Sequence, residues 1–346
     1  MLFLSLITAT AWPCAGLFHE EGALAESDVQ EAILEQTAEG VRVSYLAQYD
    51  GDAAEFGWII PIFGEFQAID DGDADRFQAL REHTSPSVYF SYADDEPTCG
   101  CGASKGGDNA LGDDTAGGRQ GFDIVAEGFT GTFEYTVIEG TSSQAILDWL
   151  DQSGWDVSAS EAAIDAYVAE GGVQFVALSL ALQTGETPEE GRQLPSVVID
   201  YAGDSMRFPS TMGRYGDVDE LRTTVWVIGD QVASVGGWSA TTLGNIDGSL
   251  DEEPEDVWAA ALREIGGMNP VFNLTWAGTF ESGYLTRFDT LAHKDAHTID
   301  ATFALDGGTE SVSTEIWLYD GGAAAGLLLV PLALIGAGLR RRRQGL

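Results

Sequence analysis

The sequence is poor in basic residues. It has 16 lysines and arginines against 56 aspartates and glutamates, which gives a formal net charge of −40 over 346 residues. Only two lysines occur, Lys105 and Lys294. A surface this acidic repels phosphate backbones and anionic lipid headgroups, so the composition excludes nucleic acid as a partner. One interpretation is that the acidic surface binds cations or basic partners. The other is that it keeps the protein soluble in a salty medium, where ions screen the repulsion between its charges.

The signatures of several enzyme classes are also missing. The sequence has no GxSxG motif of serine hydrolases, and "SKGGDN" in its glycine-rich region lacks the GK[ST] ending of a P-loop. In "HKDAH", Lys294 occupies the place of the glutamate that a metalloprotease HExxH helix needs. The sequence therefore leaves enzymatic activity uncertain, favours a non-catalytic role and predicts no cofactor beyond weak Ca²⁺ or Zn²⁺ binding.

Cysteine is scarce, with Cys14, Cys99 and Cys101 the three in the chain. In an exported protein they are oxidised, and a bridge between Cys99 and Cys101 across one glycine would be strained. We expect Cys14 to pair with one of them, which leaves an odd thiol for pairing between molecules or for redox exchange. The alternative is a zinc site of the three cysteines and His19, whose spacing does not match a standard zinc finger.

One acidic stretch, "DGDADRFQALRE", resembles a calcium loop. Asp71, Asp73 and Asp75 stand at loop positions one, three and five, and Glu82 stands at position twelve. The sixth position should be glycine for the sharp turn, but it is Arg76, which also brings positive charge to the site. The competing interpretation is that Asp73 or Asp75 caps a helix and complements its dipole.

A second metal candidate comes from the histidines of "HKDAH". His293 and His297 are four residues apart, so on a helix they would share a face and could hold a metal with Asp295 or Asp300. The competing interpretation is that these are ordinary polar residues of the surface.

The body of the chain predicts an α+β fold, with mainly antiparallel sheet and interspersed helices. Short β-rich runs bounded by turn residues predict strands, and segments with apolar residues three or four apart predict helices. The predicted strands are 29–36, 41–49, 56–62, 87–93, a hairpin over 122–139, 173–183, 196–201, 221–229, 273–280 and 315–319, and the predicted helices are 73–83, 143–153, 160–170 and 256–265.

Composition divides the chain into five parts. Residues 1–11 predict a signal peptide, 12–93 a first β-rich part of the body, and 122–320 a second, α+β part. Residues 94–121, "DDEPTCGCGASKGGDNALGDDTAGGRQG", are rich in glycine and aspartate and predict a loop or a disordered insert. Residues 321–346 form a membrane or sorting tail.

The tail begins with a small-residue break at Gly321 and Gly322 and continues with an uncharged apolar run from Ala323 to Leu339. At about 1.5 Å per residue in a helix, this run covers most of a hydrocarbon core of ~30 Å, which predicts a C-terminal transmembrane helix. The run is followed by the basic cluster Arg340, Arg341, Arg342 and Arg343. Positive charge stays on the cytoplasmic side, so the body should face outward. The alternative is a buried C-terminal helix.

The N-terminus also favours export. Leu2–Ile7 is a short apolar run, and "ATA" at residues 9–11 offers a small-x-small cleavage site after Ala11. No lysine or arginine precedes the run, so the true start lies upstream or the signal is atypical. With the tail, this predicts a bacterial envelope protein, either held in the membrane by a single span or released to the surface after cleavage of the tail.

The tail resembles the tripartite sorting signals of Gram-negative bacteria, in which a glycine-rich motif, a helix and an arginine cluster are recognised by rhomboid-like or exosortase-like enzymes. "DGG" before the apolar run is closest to the Gly-Gly type. The related myxobacterial type has a cysteine before the helix, and this tail has none. The resemblance implies a sorting protease as a partner, besides the membrane itself.

Several body segments, taken in order, resemble a known family. They are "CAGLF" at 14–18, "FGWIIPI" at 56–62, "AILDWLDQSGWDV" at 145–157, "IDAYVAEGGVQFVAL" at 164–178, and "YLTRFDTL" at 284–291 with Asp300 following. This order is similar to that of domain of unknown function 2330, a family of uncharacterised exported bacterial proteins. The resemblance implies an envelope location, often with a sorting tail, and implies no reaction.

The function predicted from these features is a surface binding or structural module with an unidentified protein or glycan ligand. Trp155 and Trp238 lie next to glycines and could form a ligand platform, or pack against loops. One alternative is a secreted or surface-anchored hydrolase. A second is an accessory role in envelope thiol chemistry, which would use the odd cysteine.

Overall fold

The structure is a computed structural model that describes residues 17–19, 25–26, 29–51, 55–91, 122–155, 161–181, 192–215, 219–266, 271–281 and 283–319. The predicted signal peptide, the three cysteines, the insert at 94–121 and the tail at 321–346 lie outside the described residues. No helix in these described ranges is long and apolar enough to cross a membrane.

Strands make up most of the described chain. In chain order they are β1 Leu17–His19, β2 Ala25–Glu26, β3 Val29–Gln36, β4 Val41–Gly51, β5 Glu55–Ile62, β6 Phe66–Asp71, β7 Ser87–Ser91, β8 Phe122–Phe129, β9 Glu134–Gly140, β10 Gln174–Ala181, β11 Arg192–Gln193, β12 Val197–Tyr201, β13 Met206–Phe208, β14 Glu220–Gly229, β15 Ser234–Gly236, β16 Ser239–Thr242, β17 Ile246–Ser249, β18 Val271–Phe280, β19 Gly283–His293, β20 Ala301–Ala304, β21 Val312–Ser313 and β22 Glu315–Tyr319.

Four α-helices interrupt the strands of the described chain. They are α1 Ala74–Thr84, α2 Ser143–Gln152, α3 Glu161–Glu170 and α4 Pro254–Gly266, with 3-10 turns at Ser210–Tyr215 and Lys294–Ala296. The Asp73 side chain caps α1 by accepting from Asp75 N at 2.9 Å, and Ser142 caps α2 by accepting from Ala145 N at 3.3 Å. These caps satisfy backbone donors that the first turn of a helix leaves free.

The strands form two large sheets and two small ones. One large sheet has five strands in the order β1-β5-β10-β9-β8, and the other has eleven, with the path β16-β18-β19-β14-β3-β4-β12-β6. The small sheets are β13-β20-β15 and β17-β22-β7. Most pairs are antiparallel, and the parallel pairs are β3 with β14, β16 with β18, and β22 with both β17 and β7. The prediction of an α+β fold with mainly antiparallel sheet is confirmed.

The two large sheets pack face to face over the main core. Side chains alternate between the faces of a strand, so Trp58 and Ile60 of β5 enter this core with Tyr45 of β4, whereas Ile59 points the other way. Ile59 packs instead with residues of α2 and α3. On the outer face of the eleven-stranded sheet, α1 packs with strand residues such as Trp226, and α4 packs with others such as Leu291. The result is four layers, with helices outside both sheets.

One long strand, β19, was not predicted. It contains "YLTRFDTLAH" and ends at His293, so "HKDAH" starts on a strand and continues as a 3-10 turn. The two histidines are therefore not on one face of an α-helix. The strands before and after the 94–121 insert also share sheets, because β3 pairs with β14 and β5 pairs with β10.

Candidate functional site

A buried ion pair lies on the outer face of the eleven-stranded sheet. Arg287 donates to both oxygens of Asp289, from Nε to Oδ2 at 2.8 Å and from Nη2 to Oδ1 at 2.9 Å. The hydroxyl of Thr224 donates to Oδ1 at 2.8 Å, and that of Thr275 donates to Oδ2 at 2.6 Å. The Asp289 side chain is completely buried and that of Arg287 is 6% exposed. Such a charge is tolerated inside a protein because each oxygen has two donors.

Strand register places these groups together. Asp289 faces Thr224 across β14 and β19, and Arg287 faces Trp226 two residues along. Above them, Thr84 at the end of α1 accepts from Trp226 Nε1 at 3.0 Å, and its carbonyl accepts from Arg287 Nη1 at 3.3 Å. The guanidinium also lies 5.6 Å from the Trp226 ring centre. Arg287 is thus held in place by the sheet and by α1.

A cleft of about 230 Å³ opens beside this pair, with lining residues from the sheet, from α1 and from α4. The strands supply the floor, α1 supplies Arg81, and α4 supplies Glu255. The lining residues are Val29, Glu31, Leu46, Ala47, Arg81, Arg222, Thr224, Glu255 and Arg287. The cleft therefore combines a small apolar wall with three guanidinium groups and two carboxylates.

The charges of the cleft are paired unequally. Glu31 lies 3.0 Å from Arg81, and its side chain is 11% exposed. Burial raises the pKa of Glu31 above its usual value, and the guanidinium groups of Arg81 and Arg287 partly oppose that rise. Arg222 donates to Glu255 at 2.7 Å, but the Glu255 side chain is 76% exposed, so water and salt screen its charge.

Two of the arginines have unused donors. Arg81 uses its Nε for the ion pair with Glu31 at 3.0 Å, which leaves its Nη groups for other acceptors. Arg222 makes one hydrogen bond within the described chain, from Nη1 to Glu255. A guanidinium has five N–H donors, so both side chains can still bind an acceptor that enters the cleft.

The sequence model of a family described as "Uncharacterized protein conserved in bacteria (DUF2330)" matches residues 8–304. The chain belongs to this family. Every residue that lines the cleft falls inside the part of the DUF2330 chain that matches. A search of curated proteins gives no match. The crystal structure of baculovirus P35 is similar with 10% sequence identity over 82% of this chain and 92% of that chain, at a TM-score of 0.33, which supports no argument about fold or function.

The DUF2330 chain has a second buried polar cluster, around Asp300. Its carboxylate accepts from the Tyr167 hydroxyl at 2.9 Å, from Arg207 Nε at 2.8 Å and from Thr211 N at 2.9 Å. Arg207 also pairs with Glu170. This cluster joins α3 to β13 and to the residues just before β20, so Asp300 links these elements.

The calcium candidates of the DUF2330 chain have other contacts in the structure. Asp71 accepts from the hydroxyl of Thr132 at 3.0 Å and from that of Thr130, which tie the end of β6 to the β8–β9 turn. Asp73 caps α1, and Arg76 pairs with Glu35 of β3 at 2.6 Å. The competing helix-cap interpretation of Asp73 is confirmed.

The histidine candidates are divided between surface and core. The backbone N–H of Asp295 donates to His293 Nδ1 at 3.2 Å at the surface. His297 is completely buried, with its ring centre 5.0 Å from that of Trp238. Burial lowers the pKa of His297 from 6.5 to about 4. Within the described residues, no three His, Cys, Asp or Glu side chains are grouped so that they could hold a metal ion.

The tryptophans considered as a ligand platform pack against the protein. Trp238 is 5% exposed and donates to the Ile299 carbonyl at 2.7 Å. Trp155 is half-buried, and its ring covers Gly57 so closely that a Cβ there would lie 3.1 Å from it. Both tryptophans therefore contact other parts of the protein, as the packing interpretation predicts.

The cleft residues Glu31, Arg81 and Arg222 were not predicted as a site. The sequence signal that bears on the cleft is the scarcity of arginine, which by itself does not single out these residues. Of 16 basic residues, four lie in the C-terminal cluster and two are lysines, which leaves ten arginines for the rest of the chain. Three of those ten line one cleft.

Proposed function

We propose that this DUF2330 protein is an exported binding module of the bacterial cell envelope and that the cleft between α1 and α4 is its ligand site. The observation that supports this most is the gathering of Arg81, Arg222 and Arg287 at one opening in a chain of net charge −40. Arginine is the residue best suited to planar, bidentate recognition of an anionic group. Surface charge intended only for solubility would not concentrate the rare cations in a concave site.

The lining favours binding over catalysis. The described residues that line the cleft include no histidine, cysteine or serine, so the usual nucleophiles and the usual general base are not among them. Both of its carboxylates are paired with arginines. The hydrolase alternative rests on Glu31. Burial raises the pKa of this residue and so favours its protonated form, which could act as an acid. The thiol alternative rests on cysteines outside the described residues.

The location is part of the same proposal. The apolar run 323–339 and the four arginines after it would deliver the body to the outer side of the membrane and either anchor it or be cut off near Gly321 and Gly322 by a sorting protease. The intact mass of the protein from its native host tests this. Retention of Arg340–Arg343 indicates a permanent anchor, and loss of the tail indicates a sorting signal. A protein recovered only from the cytoplasm contradicts export.

Binding is tested by thermal denaturation of the exported protein with panels of small organic anions, cations, sugars and short peptides. We expect at least one class to raise the melting temperature of the wild type but not that of Arg81→Gln/Arg222→Gln. The absence of any shift across all panels would contradict a binding module. Turnover of a compound that Glu31→Gln abolishes would favour the hydrolase instead.

A further inference from the structure

We infer that the ligand of the α1–α4 cleft is a small organic monocarboxylate, whose carboxylate is held by Arg222 and Arg81 and whose apolar end packs on Val29 and Leu46. This inference rests on the proposed function and specifies its ligand. It follows from the charge, the free donors and the size of the cleft.

The charge balance of the cleft leaves room for one negative charge. Arg287 is neutralised by Asp289, which it contacts through two hydrogen bonds inside the protein. Arg81 is matched by Glu31, whose side chain is almost fully buried. The acid beside Arg222 is Glu255, and its exposure means that solvent screens it strongly. A monoanion at Arg222 would therefore be favoured, whereas a dianion would bring an uncompensated charge close to Glu31.

The free donors fit a carboxylate. Within the described chain Arg222 uses Nη1 for Glu255, so its Nε and Nη2 edge remains for a ligand. That edge presents two parallel N–H groups, the geometry that matches the two oxygens of a carboxylate. Arg81 lies on α1 with its Nε 3.0 Å from Glu31, so the Nη groups of Arg81 are the donors that remain for a ligand. A cation would meet guanidinium groups from two sides, so the same arrangement excludes amines.

The size and the wall limit the ligand further. The cleft volume of about 230 Å³ lies below the range of about 300–1,000 Å³ that is usual for drug-sized ligands. Val29, Leu46 and Ala47 form an apolar part of the lining, on which a short alkyl or aromatic group can pack. The fixed Arg287–Asp289 pair forms part of the floor, so the cleft keeps its shape without a ligand.

The test is isothermal titration of the full exported protein at low ionic strength with butyrate and benzoate. Succinate, inorganic phosphate and butylammonium are the comparison probes. We expect the two monocarboxylates to bind the wild type and to bind Arg222→Gln about tenfold more weakly or worse, because a charge-assisted pair of hydrogen bonds is lost. The affinity of Arg222→Lys should lie between those of the wild type and Arg222→Gln, because lysine keeps the positive charge but cannot donate two parallel hydrogen bonds.

Arg263→Gln is the matched control. Arg263 is also an arginine paired with a surface glutamate, Glu220, but it does not line the cleft. Its variant should bind butyrate like the wild type, and thermal denaturation should show that all variants are folded.

The outcomes separate the two proposals. Binding of succinate, phosphate or butylammonium that depends on Arg222, without binding of the monocarboxylates, keeps the binding module and overturns the ligand class. Equal binding of butyrate to the wild type and Arg222→Gln overturns the site. If none of these probes binds, and no sugar or peptide does either, the proposed function fails as well.

Discussion

Arg287 and Asp289 lie two residues apart on β19 and form a buried ion pair, with hydrogen bonds of 2.8 and 2.9 Å. Side chains at this spacing share a face of the strand, so the pair needs no other element to bring it together. The hydroxyls of Thr224 and Thr275, from the strands on either side, occupy the remaining acceptor positions of the carboxylate. The floor of the cleft is therefore assembled by the register of three strands.

Removing one member of this pair should destabilise the fold strongly. Asp289→Ala leaves a buried, unpaired guanidinium and should lower the free energy of unfolding by about 3–5 kcal/mol, measured by urea denaturation. The double variant Arg287→Met/Asp289→Leu removes both charges at once and should recover most of that loss. A cost below about 1 kcal/mol for Asp289→Ala would show that the pair is not buried as described.

The stability of the protein should depend on His297 at mildly acidic pH. Its pKa is about 4 in the folded protein against 6.5 when unperturbed, so the unfolded chain binds the proton more tightly. The contribution of His297 to the free energy of unfolding is fully present above pH 6.5. It decreases as the pH falls towards 4, by roughly 3 kcal/mol in total. Comparing the pH dependence of stability in the wild type and in His297→Gln separates the effect of His297 from that of the carboxylates, which titrate in both proteins. Parallel pH profiles for the two proteins would contradict the burial of His297.

A glycine in the turn between β5 and β6 should not tolerate a side chain. A Cβ on Gly64 would overlap the carbonyl oxygen of Ala202, which is backbone and cannot move aside cheaply. We expect Gly64→Ala to lower the free energy of unfolding, measured by chemical denaturation, by about 1–3 kcal/mol. Gly244 is the control, because a Cβ there meets nothing within 4 Å, and Gly244→Ala should be neutral or slightly stabilising.

Asp73 should act through its cap and not through calcium. Asp73→Ala removes the acceptor for Asp75 N and should cost about 1 kcal/mol, whereas Asp73→Asn, which can still cap, should cost only a few tenths. The loss of stability in each variant should be the same in the presence of calcium and in the presence of a chelator. A melting temperature that rises with calcium in the wild type and not in Asp75→Asn would instead support the calcium loop.

Much of the fold could be predicted from local sequence, where a strong pattern and a cap or turn coincide. The α1 helix has Phe77 and Leu80 three apart behind a capping aspartate, and both are buried. The β3–β4 hairpin follows from two β-rich runs joined by "AEG". In such segments the apolar face, the turn and the propensity all favour one structure, and tertiary packing then keeps it.

The β19 strand could not be predicted in the same way. It is buried along almost its whole length, yet four of its buried residues are polar, namely Thr286, Arg287, Asp289 and Thr290. A strand that buries polar groups on both faces shows no alternation of apolar and polar residues, which is the pattern that identifies strands. The Asp289 carboxylate bonds to hydroxyls of both neighbouring strands, and Thr286 accepts from the backbone of Ala233. A single sequence does not show such pairings.

The cleft could not be predicted because its residues are distant in sequence. Glu31, Arg81 and Arg222 come from β3, α1 and β14, and they meet through sheet register and helix packing. Each is an ordinary charged residue in its own segment. The candidates that the sequence did suggest were short, local motifs, and the structure uses Asp73 as a helix cap and buries His297 in the core.

The parallel pairing of β3 with β14 determines when the large sheet can form. β3 and β4 are neighbours in sequence and can pair early, whereas the other edge of β3 stays open until β14 has been synthesised, and β14 in turn pairs with β19. Contacts between such distant segments form slowly, because the loop between them must close first. A nascent or truncated chain that ends before β19 would therefore present an unpaired, apolar strand edge, the kind of surface on which chains aggregate.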